Sequence, residues 1–455
     1  MKCYNYLRKT KDDVDMRKMT KREQLVLYRS VEKDKLLAKM ESVMLQYDEY
    51  NKEDDWIYWE TNTALGDYCS CIYELIERTA GYGFYGNLWH AYLTHLLVND
   101  ENVFSRACEI RGAVEGSVNG LAEHDFELFK QWYDYDFAAL EDALGFQLYP
   151  VISNYQNANE ESRVFNHRIR DRICELSRKL GAASDIREFK GYIESFYKDF
   201  GVGKLGLHKA FRIAHTEEGA EIVPITNITH VHLDDLVGYE IAKEKLIANT
   251  EAFVQGRRAN NCLLFGDAGT GKSSSIKGIL NQYYEQGLRI IEVYKHQFRD
   301  LNDVISQIKN RNYRFIIYMD DLSFEEFETE YKYLKAVIEG GLEKKPENIL
   351  IYATSNRRHL IKEEFSDKEG RRDLLHASDT VQEKLSLVSR FGVQIFFCAP
   401  DKKEYQNIVK VLAERHGVSM PEEELLLEAN RWELSHGGLS GRSAQQFIDF
   451  LLGQR

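Results

Sequence analysis

Beyond residue 230, five short apolar runs alternate with helix-length intervals, whereas the first 200 residues contain a single proline. A glycine-rich stretch also sits between the first of those runs and a helical segment. These observations predict an α/β fold. It comprises a five-stranded parallel sheet with a helical C-terminal lid, preceded by a mainly α-helical N-terminal domain. A length of 455 residues suits two or three domains. The expected divisions are 1–200 for the helical domain, a linker at 201–229, an α/β core at 230–400 and a helical lid at 401–455.

The N-terminal domain reads as helical because breakers are scarce and apolar residues recur at helical spacing. Ile169, Ile173, Leu176 and Leu180 follow one another at steps of 4, 3 and 4, which places them on one face. Leu88–Val98 is dense in Leu, Tyr, Trp and His and reads as a buried helix. The glycines of Gly81-Tyr-Gly-Phe-Tyr-Gly86 mark a turn before it. Such a domain suits recruitment or regulation. Residues 51–150 hold 5 Lys or Arg against 18 Asp or Glu, the whole of the chain's net charge of −13. That acidity disfavours nucleic acid as a partner and suits solubility.

Seven cysteines, odd in number and without paired spacing, argue against a disulfide framework. Neither a signal-like apolar start nor a run near ~18 apolar residues occurs, so a cytoplasmic chain without a membrane span is expected.

Near residue 201 the pattern changes. Gly201-Val-Gly203-Lys-Leu-Gly206 reads as a flexible joint, and Glu221–Thr229, with β-branched residues and Pro224, as an extended linker. The expected strands are Asn261–Phe265, Arg289–Val293, Arg314–Asp320, Asn348–Thr354 and Val393–Cys398. Each is apolar nearly throughout, as strands covered on both faces are. Ligands of such sheets bind at the strands' carboxyl ends. Beyond Pro400, Tyr405, Ile408, Val409 and Leu412 share a helical face, and helices near 422–434 and 441–452 complete the lid.

The chemistry lies at the strand ends. Gly266-Asp267-Ala268-Gly269-Thr270-Gly271-Lys272-Ser273 follows the first strand and opens a helix. Its glycines allow backbone N–H groups to surround phosphate oxygens, and the helix N-terminus favours their charge. Lys272 is expected to reach the β- and γ-phosphates, and the Ser273 hydroxyl to ligate Mg²⁺. This is an ATP-binding phosphate loop. Phe315-Ile-Ile-Tyr-Met-Asp320-Asp321 then delivers two carboxylates to the same edge: Asp320 for magnesium, Asp321 for the attacking water. Asn356, ending Tyr352-Ala-Thr-Ser-Asn356, is placed to hydrogen-bond the γ-phosphate or that water. Its alternative role is a helix cap or Asx turn.

Together these motifs resemble the AAA+ ATPases over about residues 230–455. Leu233-Asp-Asp-Leu-Val237-Gly238-Tyr239 is similar to the superfamily's adenine-contacting segment, and the phosphate-loop contacts extend to Ser274. Asn356 matches sensor 1, Ser386-Leu-Val-Ser-Arg390-Phe-Gly the arginine-finger motif, and Gly441-Arg442 sensor 2. More narrowly, Gly266–Ser274, Asp320–Glu325, Thr354–Leu360 and Glu383–Gly392 resemble a bacterial family of AAA+ ATPases known only as a domain of unknown function. The resemblance implies ATP and Mg²⁺ as cofactors and Arg390 acting from a neighbouring subunit, hence a homo-oligomer, with a ring as one form. It implies Arg442 acting within its own subunit. Two departures stand out. Asp321 occupies the place where most active members carry Glu, so slow hydrolysis, or substitution by Glu325, is the corresponding expectation. Tyr294-Lys-His-Gln-Phe298 lacks the usual aromatic-hydrophobic-glycine threading pattern, and Phe298 reads as core.

The expected function is Mg-dependent ATP hydrolysis coupled to remodelling of a protein client. The alternatives are a nucleotide-dependent assembly switch with little hydrolysis and a DNA-associated loader. The pairs Arg357-Arg358 and Arg371-Arg372 read as solvated or salt-bridged faces, with nucleic acid or phosphate binding as the alternative.

Overall fold

The structure is a computed structural model that describes residues 20–50, 61–113, 115–157, 167–216, 219–226, 228–324, 330–339, 346–356 and 387–454. Glu325, both arginine pairs and the start of the finger motif lie outside the described residues. Contacts divide the chain into two units, Met1–Leu207 and His208–Arg455. No described helix is long and apolar enough to cross a membrane.

The first unit is helical. The expected apolar face forms in the helix His167–Ala182, where Ile173, Leu176 and Leu180 are buried. Leu88–Asn99 is the expected buried helix, capped by the Asn87 side chain. The core is aromatic, with Trp89, Trp132, Phe126, Phe129 and Phe137 fully buried. Several acidic residues of the 51–150 stretch are interior. Asp125 accepts hydrogen bonds from the backbone N–H groups of Val26, Leu27 and Tyr28 at 2.9, 2.8 and 2.9 Å. Glu141 accepts from Tyr68 Oη and from the N–H groups of Leu148 and Tyr149 at 2.8–2.9 Å. Glu109 accepts from Val202 N at 3.0 Å. Part of the acidity therefore satisfies buried backbone donors instead of forming a charged face.

The second unit carries one seven-stranded sheet in the order β2-β1-β4-β5-β6-β3-β7. The strands are β1 Ala210–Thr216, β2 Gly219–Pro224, β3 Cys262–Gly266, β4 Leu288–Glu292, β5 Arg314–Met319, β6 Ile349–Ser355 and β7 Val393–Phe397. The last five are the expected ones and are mutually parallel. The expectation of five strands is corrected to seven, because much of 201–229 is not a linker. β1 pairs antiparallel with β2 and runs parallel to β4, with Ala210 opposite Ile290. Phe211 and Ile213 point inward and Arg212 outward, a half-buried alternation. Pro224 falls at the end of an edge strand, where its missing N–H costs no ladder bond.

The lid packs Tyr405, Ile408, Val409 and Leu412 against Leu425, Ala429, Phe447 and Ile448. Its helices are Lys402–Arg415, Glu422–Ser435 and Gly441–Gly453. Phe298 is buried, as read from the sequence.

His95 lies against Tyr82 and Phe84, with ring centroids 4.4 and 5.9 Å away. Burial pushes its pKa down from 6.5 to about 4, against the pull of Asp34 and with that of Arg78. The unfolded chain therefore binds a proton that the folded chain refuses. This contribution to stability is intact above pH 6.5 and is lost as pH falls to about 4. His95→Phe keeps the aromatic packing and removes the titration. Its melting temperature is expected to fall less than the parent's between pH 7 and pH 4.5; parallel pH profiles would rule this out.

Candidate nucleotide-binding site

The carboxyl ends of β3, β5 and β6 lie side by side because the register pairs Leu264 with Thr354 and Met319 with Ala353. The phosphate loop leaves β3 at Gly266, whose φ is 135°. A Cβ there would sit 2.0 Å from the Phe397 carbonyl oxygen of β7, so only glycine fits. The loop ends at the helix Lys272–Tyr283, whose first residues, Lys272–Ser274, line the cleft described below. Lys272 is buried and donates to the carbonyls of Gly266 at 3.0 Å and Asp267 at 2.6 Å. Burial pulls its pKa below the ordinary lysine value, although Asp267, Asp321 and Asp320 oppose the shift.

Ser273 Oγ donates to Asp320 Oδ1 at 2.7 Å, bringing together the two residues expected to hold magnesium. The same carboxylate oxygen accepts from Thr354 Oγ1 at 2.6 Å and Tyr318 Oη at 2.7 Å. Burial alone would raise the Asp320 pKa, but the hydrogen bonds from Thr354, Ser273 and Tyr318 outweigh it, and the carboxyl lies below its ordinary value. Asp321 follows in a left-handed conformation, φ 48°. Its N–H donates to Thr354 Oγ1 at 2.9 Å, and its Oδ1 accepts from Asn356 Nδ2 at 2.7 Å.

These groups face a cleft of about 810 Å³. Ala268–Ser274, Asp320, Asp321, Asn356, Val237 and Arg442 line it. Arg442 N donates to Gly269 O at 3.2 Å, and a Cβ on Gly269 would come within 3.1 Å of Arg442 Cβ, so the lid touches the phosphate loop directly. Val237 packs against the lid core. Arg415 of the lid donates to the carbonyls of Asp234 and Asp235 at 2.7 and 3.0 Å.

Four expected site residues, Gly266, Asp267, Gly238 and Arg390, are not among those lining the cleft. Asp267 has its carboxylate engaged with Ala399 N at 2.7 Å, tying the loop to the segment after β7. Gly238 lines an adjoining cavity with Phe396, Cys398 and Pro400. Arg390, in the turn before β7, is not among the residues lining the cleft of its own chain.

Sequence reasoning missed Thr354 and Tyr318. The signal for Tyr318 was present: it stands two residues before Asp320, and alternation along a strand puts both on one face. Thr354 is recognisable only once β5 and β6 are paired in register.

The residues fit a magnesium nucleotide. Gly266 and Gly269 leave a cradle that side chains would fill, and the paired oxygens of Ser273 and Asp320 are the hard donors that magnesium takes.

One comparison with known proteins gives a family. Residues 206–455 match the model described as "Protein of unknown function (DUF815)". No curated protein matches the chain. Among solved structures, a point mutant of Thermotoga maritima RuvB is 17% identical with a TM-score of 0.35, over 49% of this chain and 65% of that one. This chain thus spans just under two thirds of that structure's length. The FIGL-1 AAA domain in complex with ADP is 16% identical with a TM-score of 0.35, over 50% of this chain and 75% of that one. The family match takes in more than half of the chain, including the phosphate loop, both aspartates, Asn356 and the lid: the chain belongs to the DUF815 family of proteins of unknown function.

Proposed function

We propose that the chain binds ATP with magnesium and hydrolyses it, as an oligomer that remodels a protein partner. The observation that carries this reading is the convergence of Lys272, Ser273, Asp320, Asp321 and Asn356 on one cleft beside the lid. Backbone N–H groups of 268–273 and the Lys272 ammonium hold the phosphates. Ser273 and Asp320 hold magnesium, which supplies charge neutralisation on the phosphates when bound. Asp321 accepts the proton of the attacking water, and Asn356 holds that carboxylate in place. Arg442 carries the nucleotide state to the lid through its contact with Gly269. Arg390 completes the site of the next subunit.

A second reading, an assembly switch with little hydrolysis, is supported by one feature: Asp321 is one methylene shorter than the usual Glu. Steady-state turnover separates the two. Lys272→Ala is expected to weaken ATP binding by at least about tenfold. Asp321→Asn is expected to keep binding while turnover falls about 10²-fold. A parent rate equal to that of Lys272→Ala removes the hydrolytic reading and leaves the switch.

The trans role of Arg390 has its own test. Arg390→Ala and Lys272→Ala are each expected to be inactive, whereas a mixture recovers turnover, since some interfaces then join an intact phosphate loop to an intact arginine. A monomer by native mass with ATP present, or no recovery on mixing, would overturn it.

A further inference from the structure

Thr354 is almost fully buried in β6, at 1% exposure, yet it makes three bonds to the turn that follows β5. Its hydroxyl donates to Asp320 Oδ1 at 2.6 Å and accepts from Asp321 N at 2.9 Å. Its carbonyl accepts from Leu322 N at 2.7 Å. One side chain thus fixes the orientation of the first carboxylate and the backbone of the second.

The turn it fixes is unusual. Asp321 has φ 48°, a left-handed conformation that L-residues avoid, with Asp and Asn the side chains that tolerate it best. The conformation turns the carboxylate toward Asn356, which donates to it at 2.7 Å. A longer glutamate in the same backbone would fit the left-handed region less well.

We propose that Thr354 is the positioning residue of the hydrolytic pair, and that the left-handed turn it pins is what suits this site to aspartate instead of glutamate. The proposal rests on the ATPase reading above. It deepens that reading by identifying how a short carboxylate is set for the attacking water: the backbone supplies the reach that the side chain lacks. Asp320 is steadied at the same time, so a single hydroxyl links the magnesium-holding group to the water-holding group.

The test uses the full chain, with ATP turnover and binding of a fluorescent ATP analogue measured across a magnesium titration. Thr354→Val keeps the shape and removes the hydroxyl. It is expected to lower kcat about tenfold or more while KM changes less than about threefold, and to raise the magnesium concentration needed for tight binding severalfold. Thr354→Ser restores the hydroxyl and is expected to stay within about threefold of the parent on both readouts. Asp321→Glu is expected to lower kcat, where a misfit aspartate would predict a gain. Thermal melting of each variant separates unfolding from mispositioning.

Equal loss in the valine and serine variants, or an Asp321→Glu rate at or above the parent's, overturns the proposal. If the parent turns over no faster than Lys272→Ala, it is the ATPase reading that fails. The magnesium dependence of binding in the valine and serine variants then decides the role of Thr354 alone.

Discussion

The nucleotide cleft depends on one carboxylate oxygen. Asp320 Oδ1 collects hydroxyl hydrogens from Ser273, Thr354 and Tyr318, which belong to the loop-following helix, to β6 and to β5. Asp320 is partly shielded from water by its neighbours, and that alone would favour the protonated form. Here three neutral donors stabilise the charged form, so the anion can remain at the sheet edge. Because each donor comes from a different element, the bonds also fix how those elements meet. Tyr318 adds to this from within the same strand: burial and the neighbouring Asp320 charge push its own pKa well above the ordinary tyrosine value, so it stays a donor.

The same economy of contacts joins loop and lid. The Gly269 backbone carries no side chain to hold Arg442 away, and the Arg442 N–H reaches the Gly269 carbonyl. On the other wall of the cleft, Arg415 grips the carbonyls of residues 234 and 235, while Val237 packs into the lid core. The lid is therefore attached to both walls. A ligand that altered the phosphate loop would be felt by the lid through backbone contacts, without an intervening side-chain relay.

What the sequence made legible followed from local rules. The five parallel strands were readable because each is a short apolar run, and the phosphate loop because glycine spacing between a strand and a helix carries its own geometry. The β1–β2 hairpin was missed for a physical reason. Its alternation is short, it ends in the polar His215-Thr216, and Pro224 suggests a linker unless the strand is known to lie at an edge. Asp267 was read as a ligand contact because it lies within the motif; the bond of its carboxylate to Ala399 N, which ties the loop to the segment after β7, was not readable there. Thr354 was invisible for a deeper reason. Its role exists only through the β5–β6 register, and nothing in the local sequence distinguishes it from an ordinary strand threonine.

The acidic first unit applies the same physics to a different end. Asp125, Glu141 and Glu109 are buried carboxylates, and each accepts hydrogen bonds from backbone N–H groups. A carboxylate is well suited to this because it accepts several bonds at once and strengthens each through its charge. Composition therefore overstates how much negative charge the surface presents. The same reasoning returns to Asp321. A carboxylate does its work where the backbone places it, and residue type alone, whether Asp in place of Glu or an acidic run in place of a neutral one, does not determine the chemistry. In the first unit the backbone comes to the carboxylate. At the nucleotide cleft a left-handed turn, tied down by Thr354, brings the carboxylate to its partner.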